Sequence, residues 1–335
     1  MHELSLVVAL SALLSIITIS NANSASLTAN AQAEGFQLNT FVSSIPSFNP
    51  VGPGGIVNTI GGNILISDYV TGQIRSFSDT NNQAWVSGIA ATTNYGSFNA
   101  SGLSSIGGNY YMAEQSSGKV VQVNADGSYK QVIVSIPNAT GIVGNGATGH
   151  LYVSNVSQVF DVNPVTKTYT VFNTIPADGL SLSPDGTTLY MADMANNHIY
   201  GFNTATKAQV FDSGFVAGGV DGTVLGSGKL AGNLFVNTNG GTLIKINLTT
   251  LVQTMIFSGG SRGDFVTVDA STNNLLLIQT DSILRLTAPS GGGFTPPPSA
   301  TPLPAVWTFA TPLVAGLWGS TFRRKTKANA VRRNS

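Results

Sequence analysis

The sequence contains no cysteine, which excludes disulfides, cysteine-ligated zinc and a thiol nucleophile together. It is also poor in charge: 9% of residues are Asp, Glu, Lys or Arg, against roughly a quarter in an ordinary soluble domain. Six of the 15 basic residues (Arg323, Arg324, Lys325, Lys327, Arg332, Arg333) crowd into the last 13 positions. Residues 1–322 are left with nine basic against 15 acidic side chains, so the body lacks the basic stripe that phosphate neutralisation needs. Nucleic acid is not an expected partner. Only His150 and His198 lie beyond the N-terminal leader, far apart, and no HExxH zinc motif exists. No complete P-loop or dinucleotide fingerprint is present either.

What the chain has instead is 38 glycines and many Ser, Thr and Asn residues, a composition suited to short strands joined by tight turns. Residues 178–203, DGLSLSPDGTTLYMADMANNHIYGFN, show the recurring unit most clearly. An alternating strand, a Pro184-Asp185-Gly186 turn, an apolar run from Leu189 to Ala192, a turn at Asn196-Asn197 and a second alternating run follow in order. Six segments share this pattern. Their second strands begin at Ile64, Tyr110, Leu151, Leu189, Leu234 and Leu275, at spacings of 46, 41, 38, 45 and 41 residues.

A period near 40 with four short strands per copy predicts an all-β six-bladed β-propeller, over about residues 34–287. Fourth strands are expected at about residues 83–89, 131–136, 169–175, 208–215 and 252–259, and the sixth copy has none. Residues 36–45, FQLNTFVSSI, form an orphan strand ahead of the first copy, and closing the last blade with it removes an open edge. Residues 288–301, rich in Gly and Pro, read as a linker.

The termini read as processing signals. Residues 4–19 are an unbroken run of apolar and small residues followed by small-residue sites, which predicts a secretory signal peptide within residues 1–33, cut between about 23 and 33. His2 and Glu3 stand where Lys or Arg is usual, which leaves an uncleaved anchor or a different start codon open. Near the other end, PLPAVWTF opens at Pro302, an apolar run continues to Phe322, and Arg323-Arg324-Lys325 follows. About 18 apolar and small residues suffice to span a bilayer, with the basic cluster held in the cytoplasm.

Two places in the chain could carry chemistry. The innermost strand of each blade lines a central channel, and its opening residues here are Gly54, Ser101, Thr140, Asp178, Asp221 and Asp264. Three consecutive blades thus offer an aspartate, and carboxylates converging on an axis suit a hard cation such as calcium. The alternative is that Asp before Gly caps a turn, as Asp178-Gly179 and Asp221-Gly222 would. Four residues after each second-strand start stands a polar residue: Asp68, Glu114, Asn155, Asp193, Thr238 and Gln279. Asp68, Glu114, Asn155 and Asp193 are candidate ligand contacts at the channel mouth, although strand ends are polar wherever they meet water. Residues 259–263, GGSRG, fit the G-x-S-x-G pattern but lie between two blades, not on a strand-turn-helix, and no histidine is placed to activate Ser261.

The segment ADGLSLSPDGTTLYMAD resembles the blade motif of the regucalcin and gluconolactonase family and, more loosely, NHL-repeat propellers. That family holds a metal with Asn, Asp and Glu at the strand openings, so the resemblance implies a calcium site at Asp178, Asp221 and Asp264. Asp178 stands where the motif has Asn, and none of the six openings is a glutamate. The tail resembles PEP-CTERM sorting segments of the VPLPA subtype, with Thr301 in place of Val and Pro312 inside the apolar run. This implies an exosortase-type processing enzyme as a partner, transient anchoring in the inner membrane, and export to the cell surface, the outer membrane or beyond. The expected role is a non-catalytic binding module for a partner protein or glycan. A calcium-dependent lactonase-type hydrolase and a structural component of an extracellular polysaccharide matrix are the alternatives.

Overall fold

The computed structural model describes residues 25–296 and residue 298, so the apolar run at residues 4–19 and the tail from residue 302 lie outside it, while residues 25–33 of the expected leader lie within it. Among the described residues no helix is long and apolar enough to cross a membrane. Six sheets follow one another along the chain, each built on four antiparallel strands, and they form a six-bladed β-propeller. The unit over residues 178–203 becomes the first three strands of blade 4: Ala177–Leu182, Thr188–Asp193 and His198–Asn203.

The second strands read as unbroken apolar runs because both of their faces are covered. In blade 4, Leu189 and Met191 point into a cluster shared with blade 3, whereas Tyr190 and Ala192 point into one shared with blade 5. Six such clusters exist, one at every junction between neighbouring blades. The core is therefore a ring, and each blade is stabilised only by what it buries against its two neighbours.

Closure follows the sequence expectation. The N-terminal strand Gln37–Ser43 pairs antiparallel with Ile283–Thr287 and completes blade 6. Its Phe41 and Val42 are fully buried at the junction with blade 1. Four of the five expected fourth strands form within two residues of their predicted bounds.

Blade 1 differs. Its fourth strand is Ile89–Asn94, while Gln83–Ala84 pairs parallel with the closing strand of blade 6. The cause is Trp85, which is buried against Phe77 in a short 3-10 turn and draws residues 83–87 away from their own blade. Two segments outside the expected domain also join the fold. Ser26–Leu27 pairs with the outer strand Gln253–Ser258 of blade 5, and the helix Ala29–Glu34, capped by Thr28, buries Ala31 against it. Within the stretch expected to be a linker, Gly292–Thr295 forms a strand on the free edge of Val220–Gly228. Phe294 makes this possible, as it is buried edge-on to Phe235.

The two faces of the ring are unlike. First strands begin on one face, and the turns between second and third strands return to it, because each blade is an antiparallel meander. On the opposite face the Gly292–Thr295 strap runs past Leu225–Gly228, and the carbonyl of Pro298 accepts the Gly146 N–H of blade 3. Between the faces, side chains such as Ile56, Leu103, Ile142, Leu180 and Phe265 leave an axial cavity of about 30 Å³. That is room for water only.

Candidate functional site: carboxylates on the propeller axis

The three opening aspartates meet. Asp178, Asp221 and Asp264 each present a carboxylate oxygen within 4.8 Å of the other two. The alternative reading, Asp-Gly as a turn cap, does not hold, since Asp178-Gly179 and Asp221-Gly222 lie inside the strands Ala177–Leu182 and Val220–Gly228. Both strands bulge there, with register shifts between Ala177 and Leu180 and between Val220 and Thr223. A bulge re-aims a side chain, and here it swings the aspartates to the axis.

Glycine follows Asp178 and Asp221 for a different reason from the one the sequence suggested. The first strands crowd at the axis, and a Cβ on Gly179 would stand 2.2 Å from the Asp221 carbonyl oxygen; on Gly222, 2.5 Å from that of Asp264. Second-strand side chains fix two of the three aspartate carbonyls. Ser154 donates to the Asp178 carbonyl at 2.8 Å, and the Asn237 amide donates to that of Asp264 at 2.9 Å.

The site also holds a cation that sequence reasoning missed. Arg262, in the loop set aside as a false nucleophile motif, donates to Asp264 Oδ2 and lies 3.4 Å from Asp221 Oδ2. The Phe265 N–H donates to Asp264 Oδ1 at 3.0 Å. What remains is Oδ1 of Asp178 and Oδ1 of Asp221, both buried and without a partner among the described residues. Burial pushes the Asp178 carboxyl up to about 7, helped by the charge of Asp264 and opposed by the Thr140 hydroxyl and Arg262. Asp221 is raised well above its ordinary value by burial and by the charges of Asp264 and Asp178. Asp264 is raised by burial, with Arg262 acting against the shift.

The second set of candidates is not gathered around a ligand space. Asp68 accepts the N–H groups of Val70 and Thr71, Asp193 those of Ala195 and Asn196, and Asn155 those of Ser157 and Gln158. The Glu114 carboxylate accepts from the Ser117 hydroxyl. Each of these four side chains thus closes the turn after its own second strand, whereas in blade 6 the Gln279 amide donates, among the described residues, only to the Ile278 carbonyl. Thr238 serves its turn through Thr242.

His150 and His198 pair with Asp161 and Asp212 on neighbouring strands, with neither near the axis. An aromatic edge rises beside the acidic face: Phe48, Phe98 and Tyr69 meet edge-to-face, with Phe48 68% exposed. The Tyr69 hydroxyl is raised by burial and by the charges of Asp178 and Asp264, and it donates to Gln115.

The six-bladed fold is similar to that of gluconolactonase-type propellers. A gluconolactonase from Xanthomonas campestris superposes with a TM-score of 0.63 at 15% identity, over 79% of this chain and 95% of that one. A luciferin-regenerating enzyme gives 0.61 at 13%, over 79% and 99%. Virginiamycin B lyase from Staphylococcus aureus gives 0.52 at 13%, over 75% and 99%. No protein-family model and no curated protein matches the sequence.

Proposed function

We propose that this propeller is a hydrolase of the lactonase type, working with a hard divalent cation, calcium by its donor chemistry, at the axial carboxylates. The observation that carries the reading is the convergence of Asp178, Asp221 and Asp264 with two buried, unpartnered oxygens. A non-catalytic binding role or a matrix role leaves those oxygens unexplained, because a buried carboxylate oxygen without a partner is costly.

The donor set fits such an ion. Three carboxylates against one guanidinium leave two negative charges, which one divalent cation neutralises, and every donor is an oxygen. Asp178, Asp221 and Asp264 would hold the ion. Bound there, it would supply Lewis-acid polarisation of a ring-ester carbonyl. Arg262 holds Asp264 and Asp221 in place, and Asp178, which it does not hydrogen-bond, is left to accept a proton from the attacking water. The narrow axis behind the carboxylates, with room for water only, keeps the substrate on the open face, beside the aromatic edge.

The fold shared with gluconolactonases adds support, although at 15% identity it speaks for the fold alone. This chain has no glutamate among the six openings, so its ligand set is three aspartates with an arginine beside them. The apolar run at residues 4–19 and the basic-ended tail put the site of action outside the cytoplasm in this proposal.

The test is a calcium titration of the purified protein followed by thermal unfolding, because an ion that binds only the folded state stabilises it by mass action. A panel of lactones, with glucono-1,5-lactone included, is then assayed with calcium and with chelator. Calcium-dependent ring opening that Asp178→Asn and Asp264→Asn both abolish is the expected result. No thermal shift at millimolar calcium, together with no lactone opened, would overturn the reading.

A further inference from the structure

A second cavity, of about 360 Å³, opens on the acidic face toward the outer strands of blade 6. Its size lies in the range of small-molecule sites. Five chain segments line it, and four of them are tied to one another. The Ser261 hydroxyl accepts the Thr280 N–H at 2.9 Å, and the Thr280 hydroxyl donates to the Pro50 carbonyl at 3.0 Å. The Asp281 carbonyl accepts the Ile45 N–H at 2.9 Å, so the walls are held before any ligand arrives.

The lining chemistry is specific. Thr40, Asn49, Asp281 and Ser282 line the cavity, and their side chains hydrogen-bond to no group among the described residues. Leu38 and Leu284, on the same face of blade 6 as Thr40, supply an apolar strip beside them. No Lys, Arg or His lines the space, so nothing there would pair with a phosphate, a sulfate or a carboxylate ligand. An organic cation would satisfy Asp281 alone and leave an amide and two hydroxyls unmatched. A neutral molecule with several hydroxyls and one face of C–H groups matches them all.

We infer that this cavity is a carbohydrate site, binding one neutral sugar residue through Asp281, Asn49 and Thr40 with its C–H face on Leu38 and Leu284. The site is distinct from the axial carboxylates, although one loop serves both: Gly260 and Ser261 line the cavity, while Arg262 and Asp264 belong to the axis. The inference does not depend on the lactonase reading.

The full chain is titrated with methyl α-D-glucopyranoside, methyl α-D-galactopyranoside and N-acetyl-D-glucosamine, by calorimetry and by saturation-transfer NMR. Glucose 6-phosphate and choline serve as the anionic and cationic probes. Saturable binding of at least one neutral sugar at millimolar concentration is expected. Asp281→Ala should weaken it about tenfold or more, the loss of one charge-assisted hydrogen bond. Asn49→Trp should block it by filling the space, and Asp178→Asn, on the axis, should leave it in place. Asp281 and Asn49 are exposed, so both variants keep the fold, which an unchanged melting temperature checks. The inference is overturned if no neutral sugar binds, if glucose 6-phosphate or choline binds instead, or if sugar binding survives Asp281→Ala and Asn49→Trp or is lost in Asp178→Asn.

Discussion

A Cβ on Gly179 would stand 2.2 Å from the carbonyl oxygen of Asp221, so the aspartate of one blade leaves no room for a side chain in the blade before it. The obstacle is backbone, which cannot rotate away. Gly179→Ala should therefore cost at least about 1–3 kcal/mol, at the level of overpacking a tight core. Gly61→Ala, on the other face with only the Thr59 hydroxyl at 3.9 Å, should stay within about 0.5 kcal/mol. Denaturant midpoints of the two variants check this, and equal midpoints would show that the blades are not in contact at the axis.

This crowding also marks the limit of what the sequence could tell. The six-fold period and the closing strand were legible because burial on both faces writes itself as apolar runs such as Leu189 to Ala192. The three aspartates were legible as positions, one per blade opening. The role of Gly179 and Gly222 was not, because Asp-Gly in a bulged strand and Asp-Gly in a turn look alike until the neighbouring blade's carbonyl is known. Arg262 was missed because the reach of a guanidinium depends on where its loop lands, and no local pattern records that. Asp68, Asn155 and Asp193 read as ligand contacts or as polar strand ends meeting water, and only their hydrogen bonds show that they close turns.

That decision predicts a separation of stability from function. Asp68→Ala and Asp193→Ala each strand turn N–H groups, those of Val70 and Thr71 or of Ala195 and Asn196, and should cost about 1–3 kcal/mol. The calcium response per folded molecule should be unchanged. A variant that kept full stability but lost the response would return these residues to the binding site.

Without an ion, stability should fall as pH rises. Burial holds the Asp178 carboxyl up at about 7 in the folded protein, against an ordinary value of 3.8, and Asp221 and Asp264 shift the same way. The folded state then keeps protons that the unfolded chain has released, so stability present below the ordinary carboxylate value is lost as pH climbs to about 7. Melting temperatures in chelator should decline across that window and level off above it. Calcium replaces the protons and should flatten the decline; a melting temperature rising across the window in chelator would contradict the buried cluster.

Arg262→Gln removes the one cation that faces Asp264 and Asp221 among the described residues. Breaking a buried pair leaves its partner uncompensated, and in chelator at neutral pH the variant should lose about 3 kcal/mol. Calcium should recover more stability in this variant than in the parent, because the ion then meets three carboxylates with no competing charge. If calcium stabilised the variant less than the parent, the positioning of Asp264 and Asp221 by Arg262 would outweigh its competition for charge.

The closing strand makes the sharpest claim about the fold. Phe41 is fully buried, edge-on to Phe77 of blade 1, with the Arg285 guanidinium 4.6 Å from its ring centre. It therefore joins the first and last blades at the one junction where the chain is not continuous from blade to blade. Phe41→Ala should cost about 3–5 kcal/mol, as for other buried aromatics. Deleting residues 36–46 goes further, because it also exposes the edge of Ile283–Thr287 and leaves the blade 1 face of blade 6 uncovered. In a ring whose every blade is stabilised by its neighbours, that loss spreads: calorimetry of the truncated protein should show no cooperative transition, and a retained melting temperature would mean that the ring stays closed without its N-terminal strand.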